Sequence, residues 1–252
     1  MNETLKLIKN RKSVRTYTEK EISRDFKDKI IHAAMRAPTA GNMMLYSMIE
    51  VENQDIKNKL SVSCDNQPFI AKAPFVLLFL ADYQRWNDFF IESGVQKMRT
   101  PEEGDLILAC CDALIAAQNS VIAAESMGIG SCYIGDILEN YEFHRDLFDL
   151  PDYVLPVTMI CFGYPNENYQ NKKPAPRFPQ KFILYKNKYK RLNSEDFHEM
   201  YKPVLEKYFS KGEFTDGAKN IGQHFYLKKY ASDFMDEMNR SVRTALKNWR
   251  KK

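Results

Sequence analysis

Cysteine is scarce in this chain. Its 252 residues hold only Cys64, Cys110, Cys111, Cys132 and Cys161, with no CxxC spacing among them. That excludes a small disulfide-stapled secreted domain. An odd thiol count also fits a reducing compartment, and ordinary buried thiols are the simpler reading beside a metal site. His32, His144, His198 and His224 are scattered and make no HxxxH or HExxH spacing. No GxSxG elbow is present. Ten Gly and eleven Pro are too few for a collagenous or linker-like chain. No apolar run approaches the ~20 residues that span a bilayer. The best is Ala73 to Ala81, and a second from Leu106 is interrupted by Asp112. The first residues lack the apolar core of a secretory signal. The expectation is a soluble, cytoplasmic protein with no membrane partner.

What is present suits a folded chain. Hydrophobic residues make up 44%, and 16 Phe and 14 Tyr can offset the entropy of ordering. The length fits one or two domains at ~150 residues each. Charge is uneven: from residue 170 onward there are 20 Lys/Arg against 9 Asp/Glu, and before it 17 against 24. The basic third is either a solvated Lys-rich helical surface or an attractor of an anionic small molecule. No nucleic-acid motif appears, so nucleic acid is not expected.

Patterning predicts strands over 46–52, 74–82, 131–134 and 154–162, and an extended stretch over 182–192. Helices are predicted over 4–10, 23–37, 54–62, 105–127, 141–148, 194–209 and 221–249. The helix over 105–127 is apolar nearly all round, with Ile107, Cys111, Leu114, Ile115, Gln118, Val121 and Ile122 at helical steps. It reads as a central core helix closed by Gly128 and Gly130. Residues 164–180 read as a long loop. Strands alternating with helices imply an α+β or α/β core.

Four segments have chemistry to offer. Arg11-Lys12-Ser13-Val14-Arg15, if extended, places Arg11, Ser13 and Arg15 on one side, a geometry for phosphate; otherwise it is a basic surface turn. Ala37-Pro38-Thr39-Ala40-Gly41-Asn42 lets backbone approach a flat ligand, or simply ends a helix. Gly128 to Asp136 leaves a buried helix through a short strand and turns at Gly135. Its spacing is not the dinucleotide GxGxxG fingerprint. The proline-stiffened loop Lys172 to Pro179 presents Arg177. Gln67, before Pro68, is either an active-site amide or a helix start.

Taken in order, these segments resemble the nitroreductase family. The matching pieces are Arg11 to Arg15, Ala37 to Asn42, the helix Ala113 to Gly130, Tyr133-Ile134-Gly135, Leu155-Pro156, Phe162-Gly163-Tyr164-Pro165 and Pro176-Arg177. The arrangement is most similar to the NADPH nitroreductase and NADPH–flavin oxidoreductase branch with an extended C-terminal region. The resemblance implies an α+β fold with a central, mostly antiparallel sheet flanked by helices, in an intertwined homodimer. It implies an FMN-binding domain over 1–192 and a C-terminal helical extension over 193–252 packing on the same domain.

The resemblance also implies FMN as cofactor and NAD(P)H as co-substrate, in ping-pong hydride transfer through FMN N5 to nitroaromatic, quinone or flavin acceptors. Arg11, Lys12, Ser13, Arg15 and Arg177 would hold the phosphate and ribityl chain, with Lys173 a substitute cation. Gln67, Tyr133, Ile134, Gly135 and Asp136 would line the flavin. Pro38, Thr39, Ala40 and Asn42 would reach it from the partner subunit. No catalytic side chain is implied, because the chemistry is the cofactor's. Met44 stands where many members have Gln, Ala175 where the branch often has Lys, and no Arg-rich segment for a 2′-phosphate matches near 211–219. Two other readings stay open: a physiological flavin, quinone or ferric reductase with incidental nitroreduction, and a non-enzymatic FMN-binding sensor.

Overall fold

Strong apolar runs have to bury both faces, and here they build one sheet. In the computed structural model, which describes residues 2–170 and 172–250, the strands are β1 (Tyr46–Glu50), β2 (Phe75–Asp82), β3 (Gly130–Ile134) and β4 (Val154–Gly163). Their order is β1-β2-β4-β3, with each neighbouring pair antiparallel. The expected α+β architecture with a mostly antiparallel sheet is therefore present. Met1, Asn171, Lys251 and Lys252 lie outside the described residues.

Every residue of β2 is buried. Alternation sends Phe75, Leu77, Phe79 and Ala81 to one face and Val76, Leu78 and Leu80 to the other. Phe75 stacks on Phe162 across the sheet at 5.3 Å. The register slips between Phe79 and Leu80, opposite the stretch of β4 that holds Pro156. An irregularity there accommodates a residue that cannot donate to the ladder.

The helices before the basic region are α1 (Glu3–Asn10), α2 (Arg24–Met35), α3 (Gln54–Ser63), α4 (Pro68–Ala71), α5 (Gln84–Glu92), α6 (Glu103–Ser126), α7 (Tyr141–Leu147) and α8 (Glu167–Gln170). After them come α9 (Ser194–Tyr208), α10 (Ile221–Phe225) and α11 (Asp233–Trp249). Ser23 caps α2 as the sequence predicts. The chain divides into two compact units: one runs to Lys173 and resumes at Glu237, and the other is Pro174–Asp236. The second unit is held by an aromatic cluster in which Phe178 meets Tyr201, and Phe209 meets Phe214 and His224.

α6 is the spine of the first unit. Its buried residues are Leu106, Ala109, Asp112, Ala113, Ala116, Ala117, Ser120, Val121 and Ala124. The small side chains let the helix lie close against the sheet. Most of the stripe named from the sequence faces the other way: Ile107, Cys111, Leu114, Ile115 and Gln118 are exposed, whereas Val121 is buried and Ile122 half-buried. A helix that is apolar all round has no polar face to fix its phase, and the sheet selected the alanines instead. By length and composition alone this helix could cross a membrane, but it carries Asp112 in its buried face.

Four further expectations change. Residues 182–192 form no strand, and Ile183, Leu184 and Tyr189 are exposed. The helix expected over 221–249 is broken, because a π-helical turn at Tyr226–Tyr230 and the Ala231–Ser232 break separate α10 from α11. The loop expected over 164–180 contains α8, and α5 was not anticipated. Gly128, at φ +73°, ends α6 as expected, but Gly130 is the first residue of β3.

Candidate functional site

β3 is an edge strand, and the N-terminal segment runs along its outer end. Ser13 makes a parallel bridge to Ser131, and the Val14 N–H donates to Ser131 O at 2.8 Å. Two glycines make room for this. Gly130 and Gly163 are directly paired across β3 and β4. A Cβ on Gly130 would collide with the Val14 side chain, and one on Gly163 with the Tyr17 ring. Val14 is thus sunk to 2% exposure, and alternation turns its neighbours Ser13 and Arg15 away from that contact. The Tyr17 hydroxyl donates back to Val14 O at 3.1 Å, and burial pushes its pKa up.

Beside this seam lie polar atoms without partners. Arg11 Nη1 and Ser131 Oγ are both shielded from solvent and make no hydrogen bond, and so is Glu125 Oε1 on the last turns of α6. Burial raises the Glu125 carboxyl, with Arg11 and Lys12 opposing. Burial also pushes the Tyr133 phenol up to about 12, again opposed by Arg11. The Tyr133 hydroxyl donates to Gln118 Oε1 at 3.1 Å. Lys12 Nζ donates to Lys172 O at 2.7 Å. Arg15 is exposed and opposes the upward shifts of Cys132 and Tyr169. Arg11, Lys12, Ser13, Arg15 and Tyr133 are therefore brought together.

At the far end of β3, Ile134 is buried and Gly135 exposed. Gln67 takes the helix-start position its sequence allowed. It is the N-terminal flanking residue of α4, and its amide Nε2 donates to Asp136 Oδ2 at 3.1 Å and to Cys64 O at 2.9 Å. Below it, Glu139 is 6% exposed with Oε1 unpartnered. Burial, then Asp136, Asp65 and Glu237, push this carboxyl up to about 7.

Pro38, Thr39, Ala40 and Asn42 stand apart from that group. Their loop is tied to Asp112, and Arg11 lies by Glu125 thirteen residues further along α6, roughly 20 Å at the helical rise. Pro38 and Asn42 are exposed; Thr39 and Ala40 are half-buried. The Met44 side chain packs against the core. Lys173 is exposed. Arg177 belongs to the second unit, where its Nη1 donates to Ala175 O and Pro176 O at 3.3 Å. Residue patterns missed Asp112, Glu125, Gln118, Arg85 and Trp86 as partners of the site segments. Only Asp112, the charge that interrupts the apolar run from Leu106, carried a signal. Among the described residues, no group of three or more His, Cys, Asp or Glu is placed to hold a metal ion.

Residues 8–164 match the sequence profile of the nitroreductase family. The chain belongs to the nitroreductase family. It is 31% identical to the FMN reductase (NADPH) of Bacillus subtilis, covering 99% of this chain and 96% of that one. It is 28% identical to an NADPH-dependent oxidoreductase of Staphylococcus saprophyticus, over 93% and 95% of the two chains. Among solved structures, NfrA1 nitroreductase of B. subtilis superposes with TM-score 0.79 at 27% identity, over 95% and 98% of the chains. The NADPH:FMN oxidoreductase of Vibrio harveyi, complexed with NAD+, shares the fold with TM-score 0.81 at 24% identity, over 97% and 98%.

Proposed function

We propose that this chain is an FMN-dependent NAD(P)H oxidoreductase of the nitroreductase type, acting as a cytoplasmic homodimer on small-molecule electron acceptors. The observation that carries the cofactor assignment is the pair of shielded, unpartnered groups Arg11 Nη1 and Ser131 Oγ beside Ser13. A phosphate supplies the acceptor oxygens that such donors lack, so the residues present fit the tail of FMN. When bound, FMN supplies the two-electron relay between nicotinamide and acceptor.

The chain's own residues do the rest. Arg11, Lys12, Ser13 and Arg15 hold the phosphate end, with Lys173 as a further cation. Gln67, Tyr133, Ile134, Gly135 and Asp136 line the ring system. Gln67 fixes Asp136 in place, and the backbone at Gly135 is open for a ligand heteroatom to approach. We take 1–192 as the FMN-binding division and 193–252 as the helical extension.

Two features support the homodimer. Ile107, Leu108, Leu114 and Ile115 form an exposed apolar stripe on α6, and Leu5 and Ile8 are exposed on the neighbouring α1. A stripe of this kind fits coverage by a second copy. The same arrangement lets Pro38, Thr39, Ala40 and Asn42, about 20 Å away along α6 in one chain, serve the partner's site. The names of the relatives favour NADPH as donor and free flavin among the acceptors. Anaerobic mixing with NADPH and with NADH tests the reading. Bleaching of the flavin band, followed by reoxidation with FMN, a quinone or a nitroaromatic, is expected. A flavin that neither nicotinamide bleaches would leave only a binding or sensing role.

A further inference from the structure

The loop from Thr39 to Leu45 is held at both its donors and its acceptors by groups outside it. On one side stands Asp112, 3% exposed on the inner face of α6. Its Oδ1 accepts the Ala40 N–H at 3.0 Å, and its Oδ2 accepts the Leu45 N–H at 3.1 Å and the Thr39 hydroxyl. Thr39 Oγ1 in turn accepts the Met44 N–H at 2.8 Å. On the other side stands α5. Trp86 Nε1 donates to Met43 O at 2.7 Å, and the Arg85 guanidinium donates to Met44 O and, at 3.0 Å, to Tyr46 O. The loop so held is not an easy one. Gly41, Asn42 and Met44 have φ of 58°, 57° and 49°, the left-handed region that side chains disfavour.

We propose that Asp112, Arg85 and Trp86 are positioning residues that preset this loop before any ligand arrives, so that Asn42 is offered ready-ordered to the FMN of the partner subunit. The proposal rests on the flavoenzyme reading for its ligand and on this chain alone for the clamp. A left-handed loop left to itself would have to be ordered on binding, and that cost would subtract from affinity. Asp112 removes it. A buried carboxylate takes three donors from two ends of one loop, which ties residues 39, 40 and 45 to a rigid helix. Asn42 is exposed, and among the described residues no side-chain hydrogen bond involves its amide.

Hydrogen exchange on the FMN-free protein tests the clamp directly. In the wild type the amides of Ala40, Met44 and Leu45 are expected to be protected. In Asp112→Asn, whose amide turns a donor toward donors, they should exchange on the order of tenfold faster while β2 and β4 stay protected. The same variant should raise the FMN dissociation constant on the order of tenfold and change the visible circular dichroism of bound flavin, with kcat per bound flavin unchanged. Trp86→Phe, which keeps the ring contacts with Phe89 and Phe90 but loses the donor to Met43 O, should act in the same direction and serves if Asp112→Asn does not fold. Equal exchange in variant and wild type overturns the clamp. Lost protection with unchanged FMN affinity overturns the link to the ligand. A wild type that binds no FMN defeats the flavoenzyme reading, while the exchange data still decide the clamp.

Discussion

Gln67 and Asp136, sixty-nine residues apart, meet in a hydrogen bond of 3.1 Å from amide Nε2 to carboxylate Oδ2. The same amide nitrogen reaches Cys64 O at 2.9 Å, so one side chain ties the start of α4 to the turn after β3. A bond to an ionised acceptor contributes about 1.5–3 kcal/mol. Gln67→Leu should therefore lower stability by about 1–2 kcal/mol and weaken FMN binding several-fold. Urea unfolding and a flavin fluorescence titration measure the two. Unchanged FMN affinity would remove Gln67 and Asp136 from the flavin lining.

The paired glycines at the β3–β4 seam give a second test. Gly130→Ala forces Val14 outward and should cost about 1–3 kcal/mol, as overpacking does, while loosening the Arg11–Arg15 segment. Gly104→Ala is the control: it lies in the first turn of α6 with nothing within 4 Å of a new Cβ. There alanine should add about 0.5–1 kcal/mol of stability. If both substitutions behave alike in urea, the seam does not depend on the missing side chain.

Glu139 sets a pH dependence whose sign is fixed. Burial raises it from the ordinary carboxyl value of 4.5 to about 7 in the folded protein. Its favourable contribution is complete below about pH 4.5 and is lost as pH rises through about 7. Glu139→Gln should therefore raise the urea midpoint at pH 8 and change it little at pH 5. An equal shift at both values would mean that the carboxyl is ionised throughout.

Much of the fold could be read from residue patterns because the signals there were physical and local. Ser23 caps α2, Pro38 stops the chain from continuing as helix, and the unbroken apolar run of β2 demands burial on both faces. Reading failed where the deciding partner is distant. The phase of α6 was set by which residues are small enough to meet the sheet, and an all-apolar helix conceals that. Asp112 read as an interruption, yet it organises a loop some seventy positions earlier. Residues 182–192 have strand-like composition but form no strand, because composition alone supplies no pairing partner. In the site, the cations and glycines were visible as types. That Gly130 and Gly163 are partners depends on register, which no local pattern records.

The exposed stripe on α6 predicts the assembly. Leu114→Glu with Ile115→Glu should convert a particle of about twice 29.5 kDa into a monomer, and FMN should be lost with it. Light scattering after gel filtration reads the mass. A monomeric wild type that retains flavin would remove the need for a second copy.

Arg11 bears the most direct test. Its shielded, unpartnered Nη1 is the feature on which the proposed phosphate site rests. The decisive measurement is the FMN dissociation constant of the reconstituted wild type beside Arg11→Ala. A yellow wild type is expected, beside a variant whose affinity falls about ten- to hundredfold, the loss of one charge-assisted phosphate contact. A wild type that stays colourless with excess FMN, or a variant that binds it equally well, would contradict the account.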